Sequence, residues 1–346
     1  MIAIKNVYYL LLYAWDRFDE GRMNTVDAEP ETDLLNLLAS VLTRGVDLLL
    51  RRGLDRGYLP LADDLAGVRG KLDISATVKA NLLPRARTFC QFDDHSHDVP
   101  HNQILKATLR ELLRSDLLDL TLHKRLRMAY MRLPPLSDIR LSTQVFRAVQ
   151  LHRNIRVYRF LLHVCRLIYD HLIPDEATGT FRFRDFTRDE ERMSRLFERF
   201  LYNFYKHEQS VFKVQRNRFP WGDAITATPD LLPMMHTDVT LSRAGQRLVI
   251  DAKYSAQVVQ QHPYGSPTLR SGHIYQLFAY LKNLPVPTNT TTDGLLLYPL
   301  AKRFVDMTFT LPGHRFRIYT IDLNQHWKMI RSDLLALIAF TPQHTK

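Results

Sequence analysis

Apolar and polar residues change their period several times along this chain, and each change marks an element. Residues 4–15, 34–50 and 104–118 repeat apolar positions at helical spacing, whereas 71–78 and 88–92 read as short strands. The first half is therefore predicted to be mostly helical with a small β element. Pro134-Pro135 and the stretch 173–179, from Ile173-Pro174-Asp175 to Gly179, are the clearest punctuation, and the second sets an expected boundary between domains 1–175 and 176–346. Beyond it, Thr187-Arg188-Asp189-Glu190 has capping-box spacing. Met193, Leu196, Phe197, Phe200, Leu201 and Phe204 follow as the stripe of a helix packed on a sheet. Two strands, 235–241 and 248–254, come next. A helix over 273–281 then turns Ile274, Leu277, Phe278 and Leu281 inward and sets His273, Gln276 and Tyr280 on a separate polar stripe. Gly294 to Pro299 reads as one more buried strand, so the second half runs helix, hairpin, helix, strand.

The hairpin concentrates the chemistry. Side chains alternate along a strand, so Asp251 and Lys253 share one face while Ile250, Ala252 and Tyr254 share the other. A turn at Ala244-Gly245 places Asp238 opposite Asp251, with Cβ atoms about 5 Å apart. A three-residue loop with Gly245 as a bulge would shift that register by one. Two carboxylates so close repel unless a cation joins them. A hard divalent ion with oxygen ligands, Mg²⁺ or Mn²⁺, suits them. Lys253 would stand beside the ion, an arrangement fitted to phosphodiester hydrolysis. The plain alternative is an exposed hairpin whose acid and lysine only solvate an edge. Val249 and Ile250 count against it, because they make the strand apolar on both faces, as in a buried central strand. Asp230, in Pro229-Asp230, is a rival acid that would pair beyond the strand end. Glu198, at the edge of the preceding helix stripe, either adds a carboxylate to the metal shell or pairs with Arg195 or Tyr202 on the surface.

Composition changes this picture in a few places. The 346 residues allow about two domains, and 45% hydrophobic content allows true cores. A formal charge of +11, with a pI near 9.6, favours a polyanionic partner. Residues 121–170 hold ten Lys or Arg against Asp138 and Asp170, which reads either as a DNA-tracking face or as solvated helix faces. Cys90 and Cys165 lack the spacing of a zinc site or a disulfide framework, which fits a reducing cytoplasm. The amino terminus has no basic leader with a cleavage site, and no apolar run reaches the roughly 20 residues needed to span a bilayer. Asp93, Asp94, His95, His97, Asp98 and His101 could ligate metal, but a polar loop capping a helix from Asn102 accounts for the same residues. Gly67 to Lys71 lacks the spacing of a phosphate loop, so the chain is not expected to hydrolyse GTP itself.

Asp238, Asp251-x-Lys253 and Gln276-x-x-x-Tyr280 resemble the PD-(D/E)xK nuclease pattern with its QxxxY helix. Ile4-Lys5-Asn6-Val7-Tyr8-Tyr9, Tyr13-Ala14-Trp15, Gly67-Val68-Arg69-Gly70-Lys71, the stretch 102–109, Leu232-Pro233 before Thr237-Asp238, and Val249 through Tyr254 extend the resemblance to the McrC family. McrC proteins are the nuclease subunits of McrBC modified-cytosine restriction systems. The resemblance implies a mostly helical amino-terminal domain that binds an McrB-like AAA+ GTPase ring, and a carboxy-terminal restriction-endonuclease-like α/β domain that cuts double-stranded DNA. It implies that Asp238, Asp251 and the Ala252 backbone carbonyl bind Mg²⁺, that Lys253 completes the catalytic set, and that Glu198, Gln276 and Tyr280 support it. GTP would be used by the partner. Thr237 stands where the family pattern has proline, which keeps Asp230 in view. Two other readings remain: a basic adaptor that only activates a partner GTPase, and a repair nuclease that works without one.

Overall fold

The computed structural model describes residues 2–16, 33–151, 156–174, 181–183, 187, 189–222, 231–255, 257–262, 265–285 and 287–339. Its contacts divide the chain into two units, Asn24–Arg184 and a second made of Met1–Met23 with Asp185–Lys346.

The chain opens with α1 (Ile4–Ala14), which belongs to the second unit. The first unit begins at α2 (Leu34–Arg52), capped by Asp33, whose side chain accepts from the Asn36 N–H at 2.9 Å. Strands β1 (Gly57–Leu65) and β2 (Lys71–Leu72), helix α3 (Ile74–Lys79) and strand β3 (Thr88–Ser96) follow. They make a three-stranded antiparallel sheet in the order β1-β3-β2. Helices α4 (Pro100–Leu113), α5 (Leu120–Met131), α6 (Thr143–Ala148) and α7 (Arg156–His171) and a small ladder of β4 (Leu172–Pro174) with β5 (Phe181–Phe183) complete the unit.

The strand expected over 71–78 is mostly helix, because Asp73 caps α3 by accepting from the Ala76 N–H at 2.9 Å. The stretch 93–101 is also not the polar loop expected. Asp93 to Ser96 continue β3 opposite β1, and the helix starts at Pro100. Its acids and histidines have structural partners: His95 stacks on Tyr58, Asp94 pairs with Arg69, and buried His101 lies 3.0 Å from Asp55.

In the second unit, α8 (Glu190–Glu208) starts at a cap made by Asp189, two residues after the Thr187 cap that the capping-box spacing predicts. All six residues of its apolar stripe are buried. After β6 (Lys213–Gln215), β7 (Arg218–Phe219), β8 (Met235–His236), β9 (Val239–Arg243), β10 (Gln246–Ala252), β11 (Val259–His262) and β12 (Gly265–Leu269) come α9 (Ser271–Asn283), β13 (Thr291–Pro299), β14 (Asp306–Leu311), β15 (His314–Ile321) and α10 (Trp327–Ile338). Six of the strands form one mixed sheet in the order β14-β15-β13-β10-β9-β6. β10, β13 and β15 run parallel at its centre and antiparallel partners lie at both sides. The α+β fold with a carboxy-terminal mixed sheet is therefore present.

The helix α1 is where the expected boundary departs from the observed units. It packs into the carboxy-terminal unit because its aromatic residues find partners there: buried Tyr13 meets Phe200 and Phe204, and half-buried Tyr9 stacks on Trp327. Buried Asn6 donates to the carbonyls of Leu323 and Gln325 at 2.9 and 2.8 Å.

Helix α9 lies on the sheet at Gly294, where a Cβ would come within 2.8 Å of Leu277 Cδ2 and 3.0 Å of Leu281 Cδ1. Gly294→Ala forces those leucines off their rotamers. It is expected to lower unfolding free energy by about 1–3 kcal/mol, read as a fall in the denaturant midpoint with an unchanged slope. No helix among the described residues is long and apolar enough to cross a membrane.

Candidate active site

The site grows from one strand end. β9 and β10 meet in the register expected for a two-residue turn: Gln246 faces Arg243, Leu248 faces Leu241 and Ile250 faces Val239. Gly245 takes φ +72°, the left-handed conformation glycine adopts at little steric cost. The strand expected over 235–241 is interrupted, because β8 pairs with β7 before β9 begins. Thr237 holds the break. Its hydroxyl accepts from the Asn217 N–H at 2.9 Å and lies 3.0 Å from the Thr240 hydroxyl, while its own N–H donates to the Asn217 carbonyl at 3.1 Å. Asp238 thereby leaves the ladder, and its carboxylate Oδ2 accepts from the Ala252 N–H at 2.8 Å.

Asp251 sits on the parallel strand pair, opposite Leu296, and is 1% exposed. Val249, two residues before it on the same face, joins Leu277, Leu296 and Tyr298 in the core beneath α9. The chain then leaves the sheet with the Lys253 N–H bonded to the Leu297 carbonyl at 3.0 Å. Lys253 Nζ reaches Asp251 Oδ2 at 2.9 Å and donates to Gln276 Oε1 at 2.8 Å. Gln276 Nε2 donates in turn to the Tyr280 hydroxyl at 2.6 Å. The structure thus brings Asp238, Asp251, Lys253, Gln276 and Tyr280 into one linked group. Tyr280 is not on an exposed stripe: it is buried, edge-on to Phe219, and only its hydroxyl end enters the polar chain. Asp230 lies outside the described residues.

Electrostatics follow from burial. Asp238 is pushed up to about 7, first by desolvation and then by the Asp251 charge; the Ala252 N–H, Glu198 and Lys253 act more weakly. Burial also raises Asp251, against the pull of Lys253. Glu198, on α8, adds a weaker repulsion to both acids. It accepts from Ser194 Oγ at 3.2 Å, and Arg195 pairs with Glu191 instead. His273 Nδ1 lies 2.8 Å from the Tyr298 hydroxyl, and burial with the charges of Lys253 and Arg270 holds the imidazole down at about 4.

Three neighbours were not legible in the motif. Arg216 donates through Nε to the Asp238 carbonyl at 3.2 Å and through Nη2 to the Glu198 carbonyl at 3.4 Å, tying the two acidic segments together. Tyr298 backs His273, and Arg270 caps α9. Arginine before a loop and tyrosine in an apolar strand carry no spacing signal. Among the described residues no group of three or more His, Cys, Asp or Glu gathers as a metal cage. The site offers a pair of acids with a third at longer range.

The mixed sheet ends its central strand in a buried acid with a lysine held beside it, and comparison of the sequence places the chain. The chain belongs to the McrBC 5-methylcytosine restriction system component family, which matches residues 7–299. It is 33% identical over 337 residues to the type IV methyl-directed restriction enzyme EcoKMcrBC of Escherichia coli K12, covering 97% of each chain. Its fold resembles a chain in the assembly of Thermococcus gammatolerans McrB AAA+ hexamers with bound McrC, with a TM-score of 0.61, 17% identity, and coverage of 97% of this chain and 75% of that one. A chain of the T. gammatolerans McrBC complex matches over 61% of this chain and 60% of its own length, with 20% identity and a TM-score of 0.44.

Proposed function

We propose that this chain is the endonuclease subunit of a GTP-dependent, modified-cytosine-specific restriction system and that it hydrolyses DNA phosphodiesters with a divalent ion. The observation that carries the reading is the pair of buried Asp251 and half-buried Asp238, joined through the Ala252 N–H, with Lys253 Nζ 2.9 Å from Asp251. Two desolvated acids that repel each other disfavour their own ionisation. A cation is what makes such a pair useful.

The residues fit Mg²⁺, which takes one or two carboxylates and leaves its other positions to water and phosphate oxygens. Asp238 and Asp251 would hold it, with the Ala252 carbonyl as a third oxygen donor; Mn²⁺ suits the same donors. When bound, the ion polarises the phosphoryl oxygen and lowers the pKa of attacking water. Asp251 keeps Lys253 in place by charge while Gln276 Oε1 fixes its direction. The Tyr280 hydroxyl accepts from Gln276 and so sets which end of that amide faces Lys253. Lys253 holds its proton at Nζ and meets the negative charge that develops on the scissile phosphate, a task that a preorganised group performs without reorganisation. Glu198 adds negative potential that favours the ion further.

A ring-forming GTPase partner is supported by the relatives, one described as EcoKMcrBC and another as McrC bound to McrB AAA+ hexamers. The unit Asn24–Arg184 also exposes Tyr58, Val68, Ile74, Val78 and Leu83, each at least 60% accessible, as a partner-binding surface would. The test mixes the purified chain with its candidate GTPase, Mg²⁺ and GTP, on methylated and unmethylated plasmid. Methylation- and GTP-dependent cutting is expected. GTPase stimulation with no cutting would establish the adaptor, and cutting indifferent to both would establish an autonomous nuclease.

A further inference from the structure

Three strand ends meet where the acids lie. β6, β9 and β10 are neighbours in the sheet, and β9 runs antiparallel to both of the others. Arg216 directly follows β6, Asp238 directly precedes β9 and Lys253 directly follows β10, so all three stand at one end of the sheet. With neighbouring strands about 4.8 Å apart, the Arg216 and Lys253 backbones are roughly 10 Å apart with Asp238 between them. The acid pair thus has a cation on each flank. Lys253 is held from the α9 side by Gln276. Arg216 is held from the α8 side: Nε donates to the Asp238 carbonyl at 3.2 Å, Nη2 donates to the Glu198 carbonyl at 3.4 Å, and the guanidinium lies over the Tyr202 ring, 4.6 Å from its centroid.

The two cations use their charge differently. Lys253 pairs with the Asp251 carboxylate, whereas Arg216 bonds to main-chain carbonyls and forms no ion pair among the described residues. A guanidinium has five N–H donors on one plane. Nε and Nη2 spend one edge of that plane on the two carbonyls, and the edge between Nη2 and Nη1 has no partner among the described residues. The Arg216 side chain is exposed, so that edge is open to a ligand. A neutral donor would suffice to tie the two carbonyls together. The positive charge and the second edge are left over, and they suit an anion.

Resting on the nuclease reading, we propose that Arg216 is a substrate-binding residue that holds a backbone phosphate of the strand being cut, on the opposite flank of the acid pair from Lys253. A DNA strand carries one charge about every 3.4 Å of its axis, so a site roughly 10 Å wide meets more than one phosphate. The open edge of the guanidinium can take two oxygens of one phosphate at once. Tyr202 and the two carbonyls fix its plane before DNA arrives. Asp238, Asp251 and Glu198 repel a polyanion, and Arg216 offsets that repulsion on the side that Lys253 does not cover.

The test measures binding of a fluorescein-labelled methylated duplex by the chain with its GTPase partner, on the Asp251→Asn background so that no cutting occurs, across a range of salt. Arg216→Gln, which keeps a donor and drops the charge, is expected to weaken binding about tenfold and to reduce the salt slope by about one. Arg216→Lys is expected to keep the slope and only part of the affinity, because it retains the charge without the fork. In the cleaving protein, Arg216→Gln should raise KM with a smaller change in kcat. Unchanged affinity and salt slope in Arg216→Gln overturn the proposal. So does a lower thermal midpoint in both variants with the salt slope intact, which would make Arg216 a clamp on the Asp238 and Glu198 carbonyls and nothing more. Full cutting by Asp251→Asn would instead overturn the nuclease reading, so the two failures are distinct.

Discussion

Asp251→Asn is expected to reduce DNA cleavage at least a thousandfold while leaving assembly with the GTPase partner unchanged. The substitution is isosteric, so the buried end of β10 keeps its packing beneath α9. What it removes is the charge that pairs with Lys253 Nζ at 2.9 Å and the oxygen donor that faces Asp238. A thousandfold corresponds to about 4 kcal/mol of barrier. That is the size expected when a site loses both its ion and the anchor of its ammonium. Lys253 retains one bond, to Gln276, and loses its ionic partner. Cleavage of methylated plasmid and GTPase stimulation, measured on the same preparation, separate the chemistry from the assembly. Wild-type cutting by the variant would remove Asp251 from the mechanism.

Asp238→Asn is expected to stabilise the metal-free protein above neutral pH while disabling cleavage. The carboxyl of Asp238 stands at about 7 in the fold against an ordinary value of 3.8. Between those values the folded chain binds a proton that the unfolded chain has released, so stability falls as pH rises from about 4 to about 7 and stays low above it. Asparagine carries no such burden, and its side-chain oxygen can still accept from the Ala252 N–H. At pH 8 without divalent ions the variant should exceed wild type by on the order of 2 kcal/mol, a gain that vanishes near pH 4. On the proposed metal site, added Mg²⁺ should raise the melting temperature of wild type at pH 8 and leave the variant nearly unmoved, because a ligand that binds only the folded state stabilises it. Thermal melts at pH 4.5 and 8, with chelator and with Mg²⁺, check both parts. Equal pH dependence in the two proteins would mean that Asp238 is ionised in the fold.

Legibility in the sequence tracked how far each feature depends on local pattern. The β9 and β10 register was readable because Gly245 sets a tight turn and a buried strand face tolerates no slip. The stripe of α8 was readable because six apolar residues at helical spacing demand one covered face. The sheet at residues 57–96 was legible only at 88–92, which lies within β3; β1 is largely exposed with no regular burial, and Asp73 turned most of the strand expected over 71–78 into a capped helix. The break at Thr237 depends on Asn217, twenty residues earlier, and no window of sequence holds both. Tyr280 looked polar by helical position and is buried because Phe219, from another strand, covers its ring. Asp238, Asp251, Lys253, Gln276 and Tyr280 were named before the geometry. Arg216, Tyr298 and Arg270 join them only through tertiary contact.

The helix α1 and the stretch Asp185–Lys346 build one unit, with Asn24–Arg184 between them in the chain. A ribosome therefore delivers α1 well before the rest of the unit it belongs to. Domains generally fold as units as they emerge, so the intervening unit has all its residues while α1 still waits for α8, Trp327 and the carbonyls of Leu323 and Gln325. A translation product that stops before α8 carries the apolar face of α1 uncovered. The order of synthesis thus leaves α1 uncovered until the second unit is made, and it makes an incomplete chain a ready client for quality control.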